Sequence, residues 1–175
     1  MFETIRKEVV YPLPPEKVWV ALTDPRALAE WLMPNNFAPI VGHQFIFQVD
    51  PMPGCGSKVE CEVLELDPPR KLVWSWRPAD SKFKLAEGAK PSIVTWTLTP
   101  TENNGTRLVL QHEGLGRVFP LIMRLMLRFG WGTMVKRWIP KCAANVDNAG
   151  HFTPGAFPLE KRCYKCKTIP AELVR

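Results

Sequence analysis

Hydrophobic and polar positions along this chain change their period three times. Thr4 to Val10 reads as a first strand. Pro14 and Pro15 suit a helix start, because a first-turn amide has no intrahelical partner to lose. Val18, Ala21 and Leu22 then follow at i, i+3 and i+4 on one face. Asp24 is placed to cap a second short helix, with Pro25 at its first position and Leu28, Trp31 and Leu32 facing inward; Pro34 ends it.

From His43 the period drops to two. Phe45, Phe47 and Val49 share one face; Leu72, Trp74 and Trp76 share another, as do Val94, Trp96 and Leu98. Pro51 to Gly56 is a turn by composition, Lys58 to Leu66 alternates imperfectly, as a bulged strand does, and a Pro-Pro turn follows. Residues 78–90 form a polar connection. Asn103-Asn104-Gly105 predicts a hairpin, after which Leu108, Leu110 and His112 alternate with Arg107, Val109 and Gln111. The result is an antiparallel meander of about six strands whose aromatic-rich face requires a cover. That cover is the segment from 117 to about 146. Trp131, Met134, Val135, Trp138 and Cys142 recur there on one helical arc, Gly130 and Gly132 permit a bend, and Pro140 breaks or kinks the helix. The predicted class is α+β: a helix-grip fold, with a curved sheet wrapped on a long C-terminal helix and two short helices after strand one.

Composition adjusts this picture in three ways. At 175 residues with 46% apolar content, the chain suits one folded domain, assigned to 1–148, with 149–175 as a tail. Asn148-Ala149-Gly150 is a helix stop, and Pro154, Gly155, Pro158 and Pro170 exclude a long regular element beyond it, so the tail is expected to be removable for about 1 kcal/mol or less. Five cysteines and no basic-then-apolar opening segment point to a reducing, cytoplasmic setting. The net charge of +6 is uneven: residues 117–175 carry 11 Lys and Arg against 3 Asp and Glu. An anionic surface or an acidic partner such as a chaperone would meet that third, where Arg117, Arg124 and Arg128 lie beside Phe119, Leu121 and Phe129. Nucleic acid is not an expected partner, and an oligomer is compatible with the sequence.

Candidate chemistry is sparse. His43, His112 and His151 lie on different elements, and no Ser or Cys sits in a nucleophile motif. Glu60 and Glu62 share a strand face, with Glu65 on the other unless a bulge intervenes. Cys163-Tyr-Lys-Cys166 could give two thiolates to zinc, completed by Cys142 and His151, but that second pair lacks finger spacing. No metal, cofactor or catalytic residue is assigned.

Several pieces together resemble a known family: Pro-Pro-Glu-Lys-Val-Trp (14–19), Asp-Pro-Arg-Ala-Leu-Ala-Glu-Trp (24–31), Val-Leu-Glu-Leu-Asp-Pro-Pro-Arg-Lys-Leu (63–72), Val-Thr-Trp-Thr-Leu-Thr-Pro (94–100), Thr-Arg-Leu-Val-Leu-Gln-His-Glu-Gly (106–114) and Gly-Trp (130–131). They resemble the START-like, or birch-pollen-allergen-like, superfamily. Within it they are most similar to bacterial relatives of the C-terminal domain of the activator of the ninety-kilodalton heat-shock protein's ATPase. The resemblance implies an apolar cavity between sheet and C-terminal helix. Here its lining would be Trp31, Phe37, Phe45, Phe47, Trp74, Trp76, Trp96, Leu110, Met123, Leu127, Met134 and Trp138, with His112 beside a polar ligand group. The implied function is binding of a small apolar or lipid-like molecule, or a chaperone-partner or stress-related role. The alternative is a cyclase- or hydratase-type enzyme using the same cavity.

Overall fold

The computed structural model describes residues 3–51, 56–79, 88–162 and 167–175. Its strands are β1 (Ile5–Tyr11), β2 (Gln44–Gln48), β3 (Lys58–Asp67), β4 (Lys71–Pro78), β5 (Ser92–Thr101) and β6 (Gly105–Glu113). They form one six-stranded antiparallel sheet in the order β1-β6-β5-β4-β3-β2, so the first two strands of the chain are its edges. Between those edges the chain makes α1 (Pro15–Thr23) and α2 (Pro25–Trp31). Pro15 opens α1, and the Asp24 carboxylate accepts the Arg26 amide at 2.8 Å, which caps α2 as the sequence predicts. The Trp31 indole donates to the Ala21 carbonyl at 2.7 Å and ties the two helices together.

The imperfect alternation of β3 is a bulge. Its register against β4 passes from Val63 opposite Trp74 to Glu65 opposite Val73. Val73 points away from the core-facing Leu72 and Trp74, so the bulge brings Glu65 onto the same outer face as Glu60 and Glu62. The hairpin between β5 and β6 is as predicted, with Asn104 at φ 54°. The Met52–Cys55 part of the predicted 51–56 turn and residues 80–87 of the polar connection lie outside the described residues, as do Cys163 and Cys166.

After α3 (Leu115–Val118) the covering segment runs as α4 (Leu121–Thr133), a π-helical turn at Met134–Trp138 and α5 (Ile139–Ala144). The break at Pro140 takes the form of this wider turn, in which the Ile139 amide reaches the Met134 carbonyl five residues back. Widening the turn shifts the helical phase. Trp131, Val135, Ile139, Cys142 and Ala143 are the buried residues of these three pieces, while Met134 and Trp138 are only half-buried. The Tyr11 hydroxyl, also buried, donates to the Val135 carbonyl and clamps β1 to the π turn.

The tail packs more deeply than its composition suggests. Phe152 is in the main core cluster, and Ile169 and Leu173 are buried. Val174 exchanges backbone hydrogen bonds with Asn35. The buried Glu30 carboxylate of α2 accepts the amides of Gly155 at 2.6 Å and Phe157 at 2.9 Å, and lies 3.7 Å from the Arg162 guanidinium. A tail whose described residues include a single 3-10 turn, Leu159–Lys161, is thus held by a carboxylate that the periodicity of α2 does not single out.

Candidate functional site

Inward-facing side chains of β2, β4, β5 and β6 meet those of α2 and α4 in one aromatic cluster. Trp31, Phe45, Phe47, Trp74 and Trp96 are 0–2% exposed, and Phe37 and Trp76 are 4% exposed. Their rings meet mainly edge to face. Trp96 lies 5.8 Å from Trp31, 6.0 Å from Trp74 and 5.6 Å from Trp131, and Trp131 lies 5.7 Å from Trp76. The interior is therefore filled by its own rings at contact spacing. Phe37 reaches it because buried Asn35 shapes the preceding loop: its Nδ2 donates to the Pro25 and Met33 carbonyls, and its Oδ1 accepts the Phe37 amide.

Of the residues assigned to a lining, Trp31, Phe37, Phe45, Phe47, Trp74, Trp76, Trp96, Leu110 and His112 come together in the buried interior. Leu127, Met134 and Trp138 pack half-buried at its edge, Trp138 against Phe157 of the tail at 5.8 Å. Met123 is half-buried on α4 and outside that cluster. The helix residue that meets Trp76 and Trp96 is Trp131, while Met134 and Trp138 of the same expected arc stay at the edge. An α-helical period carried unchanged through 134–138 does not register the extra residue in the π turn.

His112 is fully buried, 5.8 Å from the Trp76 ring and 5.9 Å from Trp131. The Trp131 indole donates to its Nδ1 at 3.0 Å. The neutral ring then carries its proton on Nε2, which donates to Ser92 Oγ at 2.9 Å, and Ser92 in turn donates to the Trp76 carbonyl at 3.0 Å. Burial lowers the His112 pKa to about 3. This direction of donation opposes nucleophile activation, in which imidazole accepts the hydroxyl proton. The chain from the Trp131 indole through His112 and Ser92 to the Trp76 carbonyl satisfies each of those groups and joins helix to sheet.

Three donors in the same interior are not satisfied. The indole N–H groups of Trp74, Trp76 and Trp96 are buried and have no hydrogen-bond acceptor among the described residues. A buried indole N–H ordinarily finds one, and leaving it unmade costs about 1–3 kcal/mol.

The zinc candidate does not assemble from its described members. Cys142 is buried in the core with its thiol pKa raised by burial, whereas the His151 side chain is 79% exposed and sits beside Asp147. Among the described residues no three His, Cys, Asp or Glu side chains group to hold a metal. His43 stacks on Phe45 and lies 2.9 Å from the Asn36 carbonyl. A depression of about 550 Å³ lies on the sheet's outer face, where Gln44, Ile46, Glu60, Glu62, Ser75 and Arg77 line it.

The fold order and the aromatic grip coincide with a family model, Activator of Hsp90 ATPase homolog 1-like protein, which matches residues 12–144. The chain belongs to that family. Among solved structures, this activator-like chain is similar to the Mesorhizobium loti protein MLL2253, at 32% identity over 82% of this chain and 98% of that one, with a TM-score of 0.66. It is also similar to the Bacillus halodurans protein BH1534, at 27% identity over 79% and 94%, with a TM-score of 0.60. A third similar structure is DynU16, from the dynemicin biosynthetic locus, at 28% identity over 78% of this chain and 46% of that one, with a TM-score of 0.61. None of the proteins with curated functions matches the chain. Like other activator-like proteins, it shares a helix-grip domain, and no described helix is long and apolar enough to cross a membrane.

Proposed function

We propose that this protein is a binding module for a small, flat, apolar molecule that carries hydrogen-bond acceptors such as carbonyl or ether oxygens. The observation that carries this reading is the set of unsatisfied indole N–H groups of Trp74, Trp76 and Trp96 inside an otherwise apolar interior. A ligand with acceptor atoms entering between sheet and helix would satisfy them, and edge-to-face rings would give way to stacking on its faces. Two features support a route inward. The face of α4 from Leu121 to Gly130 contributes no buried side chain, so that end of the helix can lift at small cost in core contacts. Leu127 and Met134, flexible and half-buried, already line the edge.

The enzymatic alternative, a cyclase or hydratase acting in the same space, calls for an inward acid or base. His112 is the histidine placed there, and its proton already goes to Ser92, so the hydrogen bonding favours binding over catalysis. A chaperone-partner role would use an outer surface rather than this interior.

The test is titration with an anilinonaphthalene sulfonate, whose rings are apolar and whose sulfonate oxygens accept hydrogen bonds. Saturable binding is expected, weakened about fivefold by Trp76→Phe, which keeps a ring and deletes one donor worth about 1 kcal/mol. That weakening separates interior binding from adsorption to the exposed helix. No binding at saturating probe, or equal affinity of wild type and variant, overturns the proposal.

A further inference from the structure

Away from the interior, α4 presents a surface that the core does not use. Leu121 is 50% exposed, Ile122 62%, Met126 54% and Phe129 75%. At about 100° per residue these positions span one arc of about 140°, roughly opposite Trp131, the one residue of α4 that is buried. Arg124 and Arg128 flank that arc on one side. Folded proteins rarely leave four large apolar side chains together in water without a use for them.

The segment that carries this face has charge of one sign, and Glu3 approaches it beside Gly116 and Arg124, at the end away from Phe129. From Gly114 to Val146 there is no Asp or Glu, while Arg117, Arg124, Arg128, Lys136, Arg137 and Lys141 are all basic. Next to Phe129 a cleft of about 360 Å³ opens, lined by Lys7, Arg128, Gly132, Thr133, Lys136 and Arg137 as well. Lys7 reaches it from the inner face of β1 and lies against Gly132, where a Cβ would be in van der Waals contact with the Lys7 ammonium at 3.4 Å. Four cations therefore line a cleft whose lining holds no carboxylate. The Lys7 pKa is lowered, first by burial and then by the charges of Arg128 and Lys136. Crowded like charges of this kind are relieved by a multivalent anion.

We infer that this face docks on an anionic phospholipid bilayer, with a lipid phosphate in the Lys7/Arg128/Lys136/Arg137 cleft and Leu121, Ile122, Met126 and Phe129 inserted below the headgroups. An amphipathic helix with Arg and Lys beside Phe and Leu is built to lie in such an interface. Both halves of the surface are matched by one occupant, since a lipid offers phosphate and acyl chain a few ångströms apart. A second copy of the chain matches only the apolar half: across a two-fold axis it would set one wholly basic helix against another. An acidic protein matches only the basic half.

Co-sedimentation of the full chain with vesicles tests this. Binding is expected to vesicles of phosphatidylcholine with 30% phosphatidylglycerol at low salt, to be absent from pure phosphatidylcholine, and to fall steeply in 1 M NaCl. Lys136→Glu with Arg137→Glu should lower the partition by about tenfold or more, as each cation near the surface contributes about fivefold. Ile122→Ser with Phe129→Ser, both at exposed positions, should also lower it, and should do so at low salt where the charges are intact. Two results overturn the inference. One is inorganic phosphate binding at the cleft, seen by NMR, while vesicles fail to bind, which marks a small-anion site only. The other is absence of vesicle binding together with a dimer, seen by ultracentrifugation, that Ile122→Ser with Phe129→Ser converts to monomer.

Discussion

His112 shows how a single side chain in this protein carries a condition on pH. Its ring is neutral when folded, with a pKa lowered to about 3, whereas in the unfolded chain it titrates near 6.5. Between those values the unfolded state binds the proton and the folded state does not, so stability falls as pH drops below about 6.5 and continues to fall toward 3. By pH 5 the loss should be about 2 kcal/mol, at about 1.4 kcal/mol per unit. Urea unfolding at pH 7 and pH 5 measures it, and His112→Gln should flatten the difference; an unchanged slope would reject the assignment. Gly105 carries a steric condition instead. A Cβ there would come within 2.6 Å of both the Tyr11 carbonyl oxygen and Thr101 Oγ1. The carbonyl belongs to the β1–β6 ladder and cannot retreat cheaply, so Gly105→Ala is expected to cost about 1–3 kcal/mol, read as a lower denaturation midpoint. The inward position of His112 is legible in its alternation with Leu108 and Leu110. Ser92 is equally legible, since it keeps step with Val94 and Trp96. Their hydrogen bond is not, because it depends on Val94 standing opposite His112 across two strands, and neither strand's own pattern contains the register.

At the level of elements, proline and aspartate placements mark the starts of α1 and α2, and alternation marks β2, β4, β5 and β6, with β3 alternating imperfectly across its bulge. Two elements escape this kind of reading. The π turn at Met134–Trp138 follows from Pro140, yet a fixed helical period places Trp138 where Ile139 lies. The tail escapes because its apolar residues are sparse and its anchor, Glu30, is an acidic residue that would ordinarily face water. Removal of residues 149–175 takes away Phe152, Ile169 and Leu173 and leaves Glu30 without the Gly155 and Phe157 amides. Truncation after Asn148 is therefore expected to lower the melting temperature by roughly 5–10 °C, or about 2–3 kcal/mol, rather than the small change that composition suggests. Calorimetry of the truncated chain decides between the two. A shift under about 2 °C would show that these contacts form without contributing to stability.

At the level of the whole molecule, the sequence resolves two regions that the fold keeps apart. The aromatic positions of four strands converge on one interior, and the basic residues of the last third gather around α4 and the cleft beside it. Their separation is a consequence of topology. The helix is laid across the sheet with Trp131 inward, and the arc of its earlier turns that carries Leu121, Ile122, Met126 and Phe129 faces out. Sequence periodicity shows that α4 is apolar around much of its circumference but cannot say which arc meets the sheet. That choice is made by the hydrogen bond from Trp131 to His112 and by the Tyr11 hydroxyl on Val135.

The aromatic cluster has an optical consequence. Trp31, Trp96, Trp74, Trp131 and Trp76 form a connected set with ring centres no more than 6.0 Å from the next. At that spacing indole transitions couple, so the dichroism of the rings depends on their mutual arrangement. Since Trp131 comes from the covering helix and the others from α2 and the sheet, the near-ultraviolet circular dichroism of the protein is a direct gauge of whether the helix is seated. A lifted helix would change that band while leaving the far-ultraviolet signal of the backbone almost untouched.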